Sequence, residues 1–189
     1  MSLVVRHARP DEADAVAALA AALFAQAYGA SHPEPGVRAY FARALAPASF
    51  ARDLADPRSA VLVAEDDGER GTAVGYALLR EGGPTAHPDA PPLDAGRPVE
   101  LVRFYVDAAW HGRGVAQALM AASLDEAARR GADAVWLEAW QEAARPLAFY
   151  RKAGFAPFAS VRFAFGGRVD VDYLLVRRLG RTGTASPTG

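Results

Sequence analysis

The stretch between residues 99 and 138 constrains the fold more than any other part of this 189-residue chain. Residues 99–106 form an apolar, β-prone run, and residues 113–130 follow with apolar side chains at helical spacing. Residues 134–138 form a second β-prone run, so a strand, a helix and a strand succeed one another. Such a unit predicts two parallel strands joined by a right-handed crossover helix, and therefore a sheet with a helix packed on it.

The rest of the chain supplies antiparallel strands and further helices. Runs at 60–65 and 72–79 flank a turn, which predicts an antiparallel hairpin. The other predicted elements are strands over 3–8, 155–165 and 170–179 and helices over 11–26, 37–45, 47–55 and 143–152. This order predicts an α/β (α+β) fold with one central, mixed and mostly antiparallel sheet and helices on both faces. We expect one domain over 1–180 and a flexible tail over 181–189.

Composition excludes several function classes. The formal net charge is −1 and no run of Lys or Arg forms a basic stripe, which argues against nucleic acid as a partner. The chain has no cysteine, so a disulfide scaffold and a thiolate nucleophile are excluded, and its four scattered histidines predict no metal site. No segment is apolar enough to span a membrane, and the N-terminus lacks the layout of a signal peptide. We therefore expect no membrane partner and a cytoplasmic location.

The loop between the strand at 99–106 and the following helix carries the clearest chemical signal. Gly112 and Gly114 allow positive φ and close approach of a ligand to the backbone, and Arg113 adds a positive charge. A helix N-terminus also presents unpaired amides and a partial positive charge, so a diphosphate suits this environment. The alternative is a tight turn that needs glycine only for its geometry. A Rossmann dinucleotide fingerprint would need Gly or Ala at the position of Gln117.

Two segments resemble the signatures of the GNAT acetyltransferase family. Residues 111–116, HGRGVA, resemble the loop Q/R-x-x-G-x-G/A, with His in the first position. Residues 143–155, AARPLAFYRKAGF, resemble the second signature N-x-R-A-x-x-F-Y-x-K-x-G-F, and the separation of the two segments also fits. The resemblance covers residues 99–179 firmly and the N-terminal half loosely. It implies a single-domain GNAT-like fold with a splayed strand pair, and an enzyme that uses acetyl-CoA as cosubstrate.

The resemblance also implies which residues hold the cosubstrate. Backbone amides of the loop would grip the pyrophosphate, which assigns that role to His111, Gly112, Arg113, Gly114, Val115 and Ala116. The strand before the loop would pair with the pantetheine arm through Phe104, Tyr105 and Val106. Ala143 stands where the family usually has Asn, which removes a side-chain hydrogen bond to pantetheine. Pro146 replaces the usual Ala and is tolerable only in the first turn of its helix.

Acetyl transfer to an amine needs a base, a polarised carbonyl and a stabilised thiolate. Glu100 matches a carboxylate of many relatives and is the candidate base, the alternative being a surface charge. A backbone N–H near Val106 can meet the charge that develops on the carbonyl oxygen. Tyr150 matches the family's proton donor to the thiolate, the alternative being a core tyrosine. Because a phenol is a weaker acid than a thiol, Tyr150 is expected to donate a hydrogen bond rather than transfer its proton outright.

The acceptor is less constrained than the cosubstrate. Residues 25–29, 50–57 and 165–173 resemble the spermidine/spermine acetyltransferase branch, and Glu100, Asp170 and Asp172 are candidate contacts for a polycation. Acetylation of a protein N-terminus or an antibiotic amine, a degenerate acyl-CoA sensor without turnover and a structural domain with no ligand remain open. Trp140 is expected to line the acceptor pocket, while Trp110 and Trp136 pack and Arg103 and Arg145 are solvated. Dimers are common in such folds, so a homodimer is a candidate assembly, although no interface is visible in the sequence.

Overall fold

A computed structural model describes residues 3–28, 39, 42–66, 68, 71–85, 90–165 and 168–180. The strands are β1 (Leu3–His7), β2 (Ser59–Asp66), β3 (Thr72–Glu81), β4 (Pro98–Val106), β5 (Ala134–Trp140), β6 (Ala156–Phe165) and β7 (Arg168–Arg178). The helices are α1 (Ala13–Tyr28), α2 (Pro47–Ala55), α3 (Val115–Arg129) and α4 (Ala144–Lys152). Short 3-10 turns cover Pro10–Glu12 and Ala108–Trp110.

The strands form one seven-stranded sheet in the order β1-β2-β3-β4-β5-β7-β6. Every neighbouring pair is antiparallel except β4 and β5. These two strands run parallel and are connected along the chain by α3. This confirms the mixed, mostly antiparallel sheet and the parallel unit expected between residues 99 and 138. The observed strands agree with the predicted ones to within a few residues at each end.

Helices cover both faces of the sheet, as predicted. Along β2, Leu62 belongs to the core cluster that contains α3, whereas Val61 and Val63 belong to the cluster that contains α1 and α2. The alternation follows from the pleat of a strand, which turns successive side chains to opposite faces. Because both faces of β2 are buried, the strand is almost continuously apolar rather than alternating in character.

A bulge in β4 changes which face its side chains meet. Leu78 and Leu79 of β3 pair with Arg103 and Leu101, so Val102 is an extra residue on β4. Before the bulge Leu101 packs with α3, and after it Phe104 does so, although the two residues are an odd number of positions apart. Tyr105 in turn packs with α1 and α2. The bulge therefore sets how the residues at the end of β4 divide between the two faces.

Some predicted boundaries and elements differ from the structure. Helix α3 begins at Val115 rather than at residue 113, because Gly114 has a left-handed φ of 84° and cannot continue a helix. Of the predicted helix over 37–45, residues 37, 38, 40 and 41 lie outside the described residues, while residues 39 and 42–44 are helical. The Gly166–Gly167 turn and the tail over 181–189 also lie outside them. Among the described helices, none is both long and apolar enough to cross a bilayer.

An arginine on the edge strand joins three segments of the N-terminal half. Arg6 donates to both carboxylate oxygens of Glu12 at 2.8 Å and through Nε to Glu65 at 3.0 Å. The hydrogen bonds from Arg6 outweigh the effect of burial and lower the pKa of Glu12 from 4.5 to about 2. A carboxylate with a depressed pKa stabilises the fold above its unfolded pKa, and that stabilisation is lost as pH falls through the folded value.

We therefore expect the melting temperature to fall as the pH is lowered from about 4.5 towards 2, and Glu12→Gln to flatten part of that decline. Thermal melts of both proteins across this range measure the effect. Asp125→Asn is the matched control, since Asp125 is exposed on α3. If the melting temperature of Glu12→Gln falls with pH as steeply as that of the wild type, the Arg6–Glu12 pair contributes nothing to the decline.

Candidate active site

The candidate site is a cleft where β4 and β5 separate. The two strands pair over three positions, the last joining Glu100 to Trp136, and then diverge for the rest of their length. The cleft between them encloses about 590 Å³. It is lined by β4, β5, α1, the loop before α3 and α4, and it therefore connects the two faces of the sheet. This confirms the expected splayed strand pair.

The loop before α3 forms a cradle of main-chain amides. Gly112 and Gly114 have φ angles of 80° and 84°, and a Cβ on either would meet no atom within 4 Å. Ala118 donates to the carbonyl of Gly114 at 3.0 Å, which is the first bond of the helix. The amides of residues 115–117 precede that bond and have no intrahelical acceptor. The left-handed glycines thus turn the chain so that the helix N-terminus is presented as an anion site.

Side chains flank this cradle without filling it. Nε2 of His111 lies 3.2 Å from the carbonyl oxygen of Val106. Because a carbonyl only accepts, the ring donates a hydrogen bond to it and connects the loop to the end of β4. The guanidinium of Arg113 lies 5.1 Å from the ring centroid of Trp110. Among the predicted cradle residues, His111, Gly112 and Ala116 line the cleft, whereas Arg113, Gly114 and Val115 lie beside it.

Tyr150 lies on the α3–α4 side of the cleft within an aromatic cluster. Its ring makes edge contacts with Phe104 at 6.3 Å, Phe149 at 5.7 Å and Phe155 at 6.0 Å between centroids. Phe104 also stacks on Phe149 at 5.6 Å. Tyr150 is half-buried and lines the cleft, so it packs against the core and still reaches the open space.

The surroundings of Tyr150 keep its phenol protonated. Burial raises the pKa of Tyr150 above 10, and the nearby Tyr28 raises it further. A raised phenol pKa widens the gap to a thiol, whose reference pKa is about 8.5. Full proton transfer to a thiolate is therefore less favourable than for a free tyrosine, while hydrogen-bond donation remains available across the physiological range.

The opposite wall, on the α1–α2 side, carries a second aromatic group. Tyr105 stacks on Tyr76 at 5.7 Å and meets the edge of Tyr28 at 6.5 Å. Burial raises the pKa of all three phenols. Tyr28 and Tyr105 line the cleft, whereas Tyr76 is fully buried beneath them. The phenols on this wall are therefore neutral hydrogen-bonding groups.

The carboxylates of the two strands are placed differently. Glu100 lies on the α1–α2 face at the point where the strands part, opposite Arg80 of β3 and Trp136 of β5, but it does not line the cleft. Glu138 of β5 does line it. Sequence reasoning did not select Glu138, because its position in a β-prone run gave no sign that the run borders an open cleft.

Ala143 and Pro146 lie at the start of α4, and Trp136 and Trp140 lie on β5. Ala143 is the N-cap of α4, makes no side-chain cap bond and lines the cleft, and Pro146 lies in the first turn, where proline is tolerated. Trp140 lines the cleft, and Trp136 is buried and donates to Gly82 O at 2.7 Å. The expectation that Arg103 is solvated is wrong. Its side chain is 17% exposed and donates to Ala44 O at 2.9 Å, because the β4 bulge turns it under α2.

Comparison with known proteins assigns the family. A sequence model of the acetyltransferase (GNAT) family matches residues 19–155. An uncharacterized N-acetyltransferase of Mycobacterium bovis is 36% identical over 168 residues, which cover 89% of this chain and 98% of that protein. A counterpart from Mycobacterium tuberculosis matches with the same identity and coverage.

Solved structures show the same fold at low sequence identity. The PaiA N-acetyltransferase from Thermoplasma acidophilum, solved in complex with coenzyme A, is 14% identical with a TM-score of 0.72, and the match covers 95% of this chain and all of that one. The ribosomal-protein-S18-alanine N-acetyltransferase from Escherichia coli is 16% identical with a TM-score of 0.66, over 99% and 100% of the two chains. Together with the family match, these likenesses confirm the resemblance seen in the two motifs: the chain belongs to the acetyltransferase (GNAT) family and is a GNAT-type enzyme.

Proposed function

We propose that this protein transfers an acetyl group from acetyl-CoA directly to a primary amine within a ternary complex. The observation that carries the proposal is the placement of Tyr150 and the amide cradle on one cleft that opens between β4 and β5. The absence of cysteine excludes a thiol ester to the protein as an intermediate, which favours direct transfer.

The residues present fit acetyl-CoA. The cradle offers main-chain donors and a helix N-terminus to a pyrophosphate. A Cβ placed on Gly112 or Gly114 would meet no atom within 4 Å, so a ligand has room to approach the backbone closely there. Beyond the last paired position, the β5-facing edge of β4 at Phe104, Tyr105 and Val106 borders the cleft, so an extended pantetheine arm can pair there. Arg145 and Lys152 on α4 add positive charge to the same cleft.

The reaction divides among a small number of groups. Acetyl-CoA supplies the acyl group, so that a C–N bond forms as the C–S bond breaks and the sulfur leaves as a thiolate. Tyr150 donates a hydrogen bond to that thiolate. The acceptor ammonium loses two protons in all. Glu100 accepts the first through water, since its side chain does not line the cleft, and the second passes to the departing thiolate as the C–N bond forms. A backbone N–H near Val106 faces the carbonyl oxygen as it gains charge.

The candidate acceptors are amines of different classes, which a panel of amines separates. A polyamine is one candidate, because Asp172 lies half-buried at the register position opposite Trp140. The side chain of Asp170 lies outside the described residues. A protein N-terminus or an antibiotic amine are the other candidates. A CoA-binding sensor without turnover is the alternative from a different class, favoured by the alanine at position 143.

Two measurements test the proposal together. Acetyl-CoA should raise the melting temperature, and thiol release should appear with at least one member of a panel containing spermidine, an aminoglycoside and a peptide N-terminus. Stabilisation by CoA without thiol release for any amine would favour the sensor. No stabilisation by CoA at all would contradict both functions.

Replacing Gly114 by alanine is expected to weaken CoA binding about fivefold or more. A residue with a Cβ at a φ of 84° costs about 1 kcal/mol or more, so the cradle must distort to relieve that cost. Calorimetric titration with CoA gives the change in Kd. Gly180→Ala is the matched control, because Gly180 also has open space around it and lies in the exposed segment after β7. Equal affinity in Gly114→Ala and the wild type would remove the loop from phosphate binding.

A further inference from the structure

One carboxylate stands out in the cleft. Of the residues that line it within the described part of the chain, Glu138 is the single Asp or Glu. Its neighbours along β5, Leu137 and Ala139, belong to the core beneath α3, so the pleat turns Glu138 to the opposite face. Trp136 and Trp140 share that face with it. Glu138 is therefore on the side of the sheet that α1 covers, away from the amide cradle at the start of α3.

The walls around this carboxylate are aromatic. Tyr28 from the end of α1, Tyr105 from β4 and Trp140 from β5 line the same cleft. The stacking of Tyr105 on the buried Tyr76 and its edge contact with Tyr28 fix two of these rings in place. Aromatic faces attract cations, and the effect is stronger where water is excluded. A carboxylate bordered by such rings suits an ammonium group carried on an apolar or aromatic body.

The charge of β7 reinforces this end of the cleft. Asp172 pairs in register with Trp140, and burial together with the nearby charge of Asp172 raises the pKa of Tyr28. The α1 wall and the β7 wall therefore approach each other here. The positive charge of Arg103, which also lines the cleft, is directed to Ala44 O and towards Asp53 at 4.0 Å. Glu138 and Asp172 therefore place two negative charges near the aromatic walls at this end, beside the positive charge of Arg103.

We infer that Glu138 binds the protonated amine of the acceptor, and that the acceptor is a primary alkylammonium attached to an apolar or aromatic group held by Tyr28, Tyr105 and Trp140. The inference rests on the proposed function and names the substrate class of that site. Glu138 is a specificity-determining residue in this scheme. A carboxylate offers about four lone-pair directions, so an interaction with a neighbour does not exhaust its capacity.

In this scheme Glu138 binds the ammonium and Glu100 receives its first proton. Glu138 lies two residues beyond Trp136, the register partner of Glu100, which corresponds to about 7 Å along the strand. Both side chains are on the face that α1 covers. A water between them can pass the first proton of the bound ammonium to Glu100, after which the neutral amine is able to attack. The second proton leaves the nitrogen as the C–N bond forms and passes to the departing thiolate.

Equilibrium binding to the CoA-loaded protein tests Glu138 without turnover. Phenethylamine is an ammonium ion at neutral pH, and phenethyl alcohol is its neutral counterpart of similar shape. The wild type is expected to bind the amine at least tenfold more tightly than the alcohol, because a charge-assisted hydrogen bond is lost with the alcohol. Glu138→Gln should reduce that preference to threefold or less while leaving the Kd for CoA unchanged, which shows that the variant is folded.

The exposed Glu142 just beyond β5 provides the matched control, and Glu142→Gln should keep the full preference. Equal binding of amine and alcohol to the wild type, failure of both to bind, or an undiminished preference in Glu138→Gln would overturn the inference. Thiol release over the amine panel reports on the proposed function separately. If the wild type prefers the amine to the alcohol but no amine causes thiol release, acetyl transfer is contradicted and the role of Glu138 stands. If thiol release occurs without that preference, acetyl transfer stands and the role of Glu138 is contradicted.

Discussion

Tyr150→Phe is expected to lower kcat at least tenfold while changing the affinity for acetyl-CoA by no more than about threefold. The substitution removes one hydroxyl and keeps the ring that packs against Phe104, Phe149 and Phe155. Removing a single donor from developing negative charge costs about 10²-fold in other active sites. Steady-state kinetics of thiol release and calorimetry with CoA give the two quantities separately.

Tyr173→Phe serves as the control, since Tyr173 is a half-buried tyrosine of β7 that packs against the same core without lining the cleft. The raised pKa of Tyr150 adds a second expectation with a definite sign. Because the phenol keeps its proton above pH 10, kcat of the wild type should not decline between pH 7 and 10 through loss of that proton. Turnover at the wild-type rate in Tyr150→Phe would remove the hydroxyl from the mechanism.

Glu126→Ala is expected to lower the free energy of unfolding by about 2 kcal/mol. Glu126 is buried near the C-terminal end of α3, where it accepts from Arg130 Nε at 2.6 Å, lies 3.2 Å from Nε2 of His7 and pairs with Arg129. Burial by itself raises the pKa of Glu126, but the hydrogen bond from Arg130 and the positive charges around it outweigh burial and lower the pKa. Removing Glu126 takes away charge-assisted hydrogen bonds, which are worth about 1.5–3 kcal/mol each, while Arg130 keeps its contact with Glu81 at 3.2 Å.

The loss should also be felt between elements. Arg130 donates to the carbonyls of Pro57 at 2.8 Å and Ser59 at 3.0 Å, so Glu126 helps to hold the end of α3 against the start of β2. Urea denaturation of the variant measures the change. Asp125→Ala, one residue earlier on the exposed side of the same helix, should stay within about 0.5 kcal/mol of the wild type. A loss below about 1 kcal/mol in Glu126→Ala would mean that the network is dispensable.

Local chemistry explains why much of this fold could be predicted from the sequence. The boundaries of α2 and the pairing of β2 with β3 follow from periodicity and turn residues, which act over a few positions. The two family motifs are also local, and they alone point to the loop from His111 to Ala116 and to Tyr150. The start of α3 was displaced by two residues because the left-handed conformation of Gly114 is not visible in a pattern of apolar side chains.

The cleft carboxylate and the buried arginine could not be predicted in the same way. Glu100 and Glu138 are both acidic residues in β-prone runs, and the sequence ranks them only by resemblance to relatives. Which of them reaches the open space depends on where β4 and β5 stop pairing, and that point is fixed by contacts between segments more than 30 residues apart. Arg103 was misjudged because one extra residue at Val102 reverses the alternation of the strand that carries it.

The sequence by itself determined the family, the order of the elements and the loop that suits a diphosphate, because each of these depends on neighbouring residues. Only the tertiary structure decided which face each β4 side chain meets, how the tyrosines at 28, 76 and 105 stack, and that Glu138 lines the cleft. The physical reason is that a pleated strand assigns its side chains to two faces by register. A bulge and the point where two strands part set that register through long-range contacts.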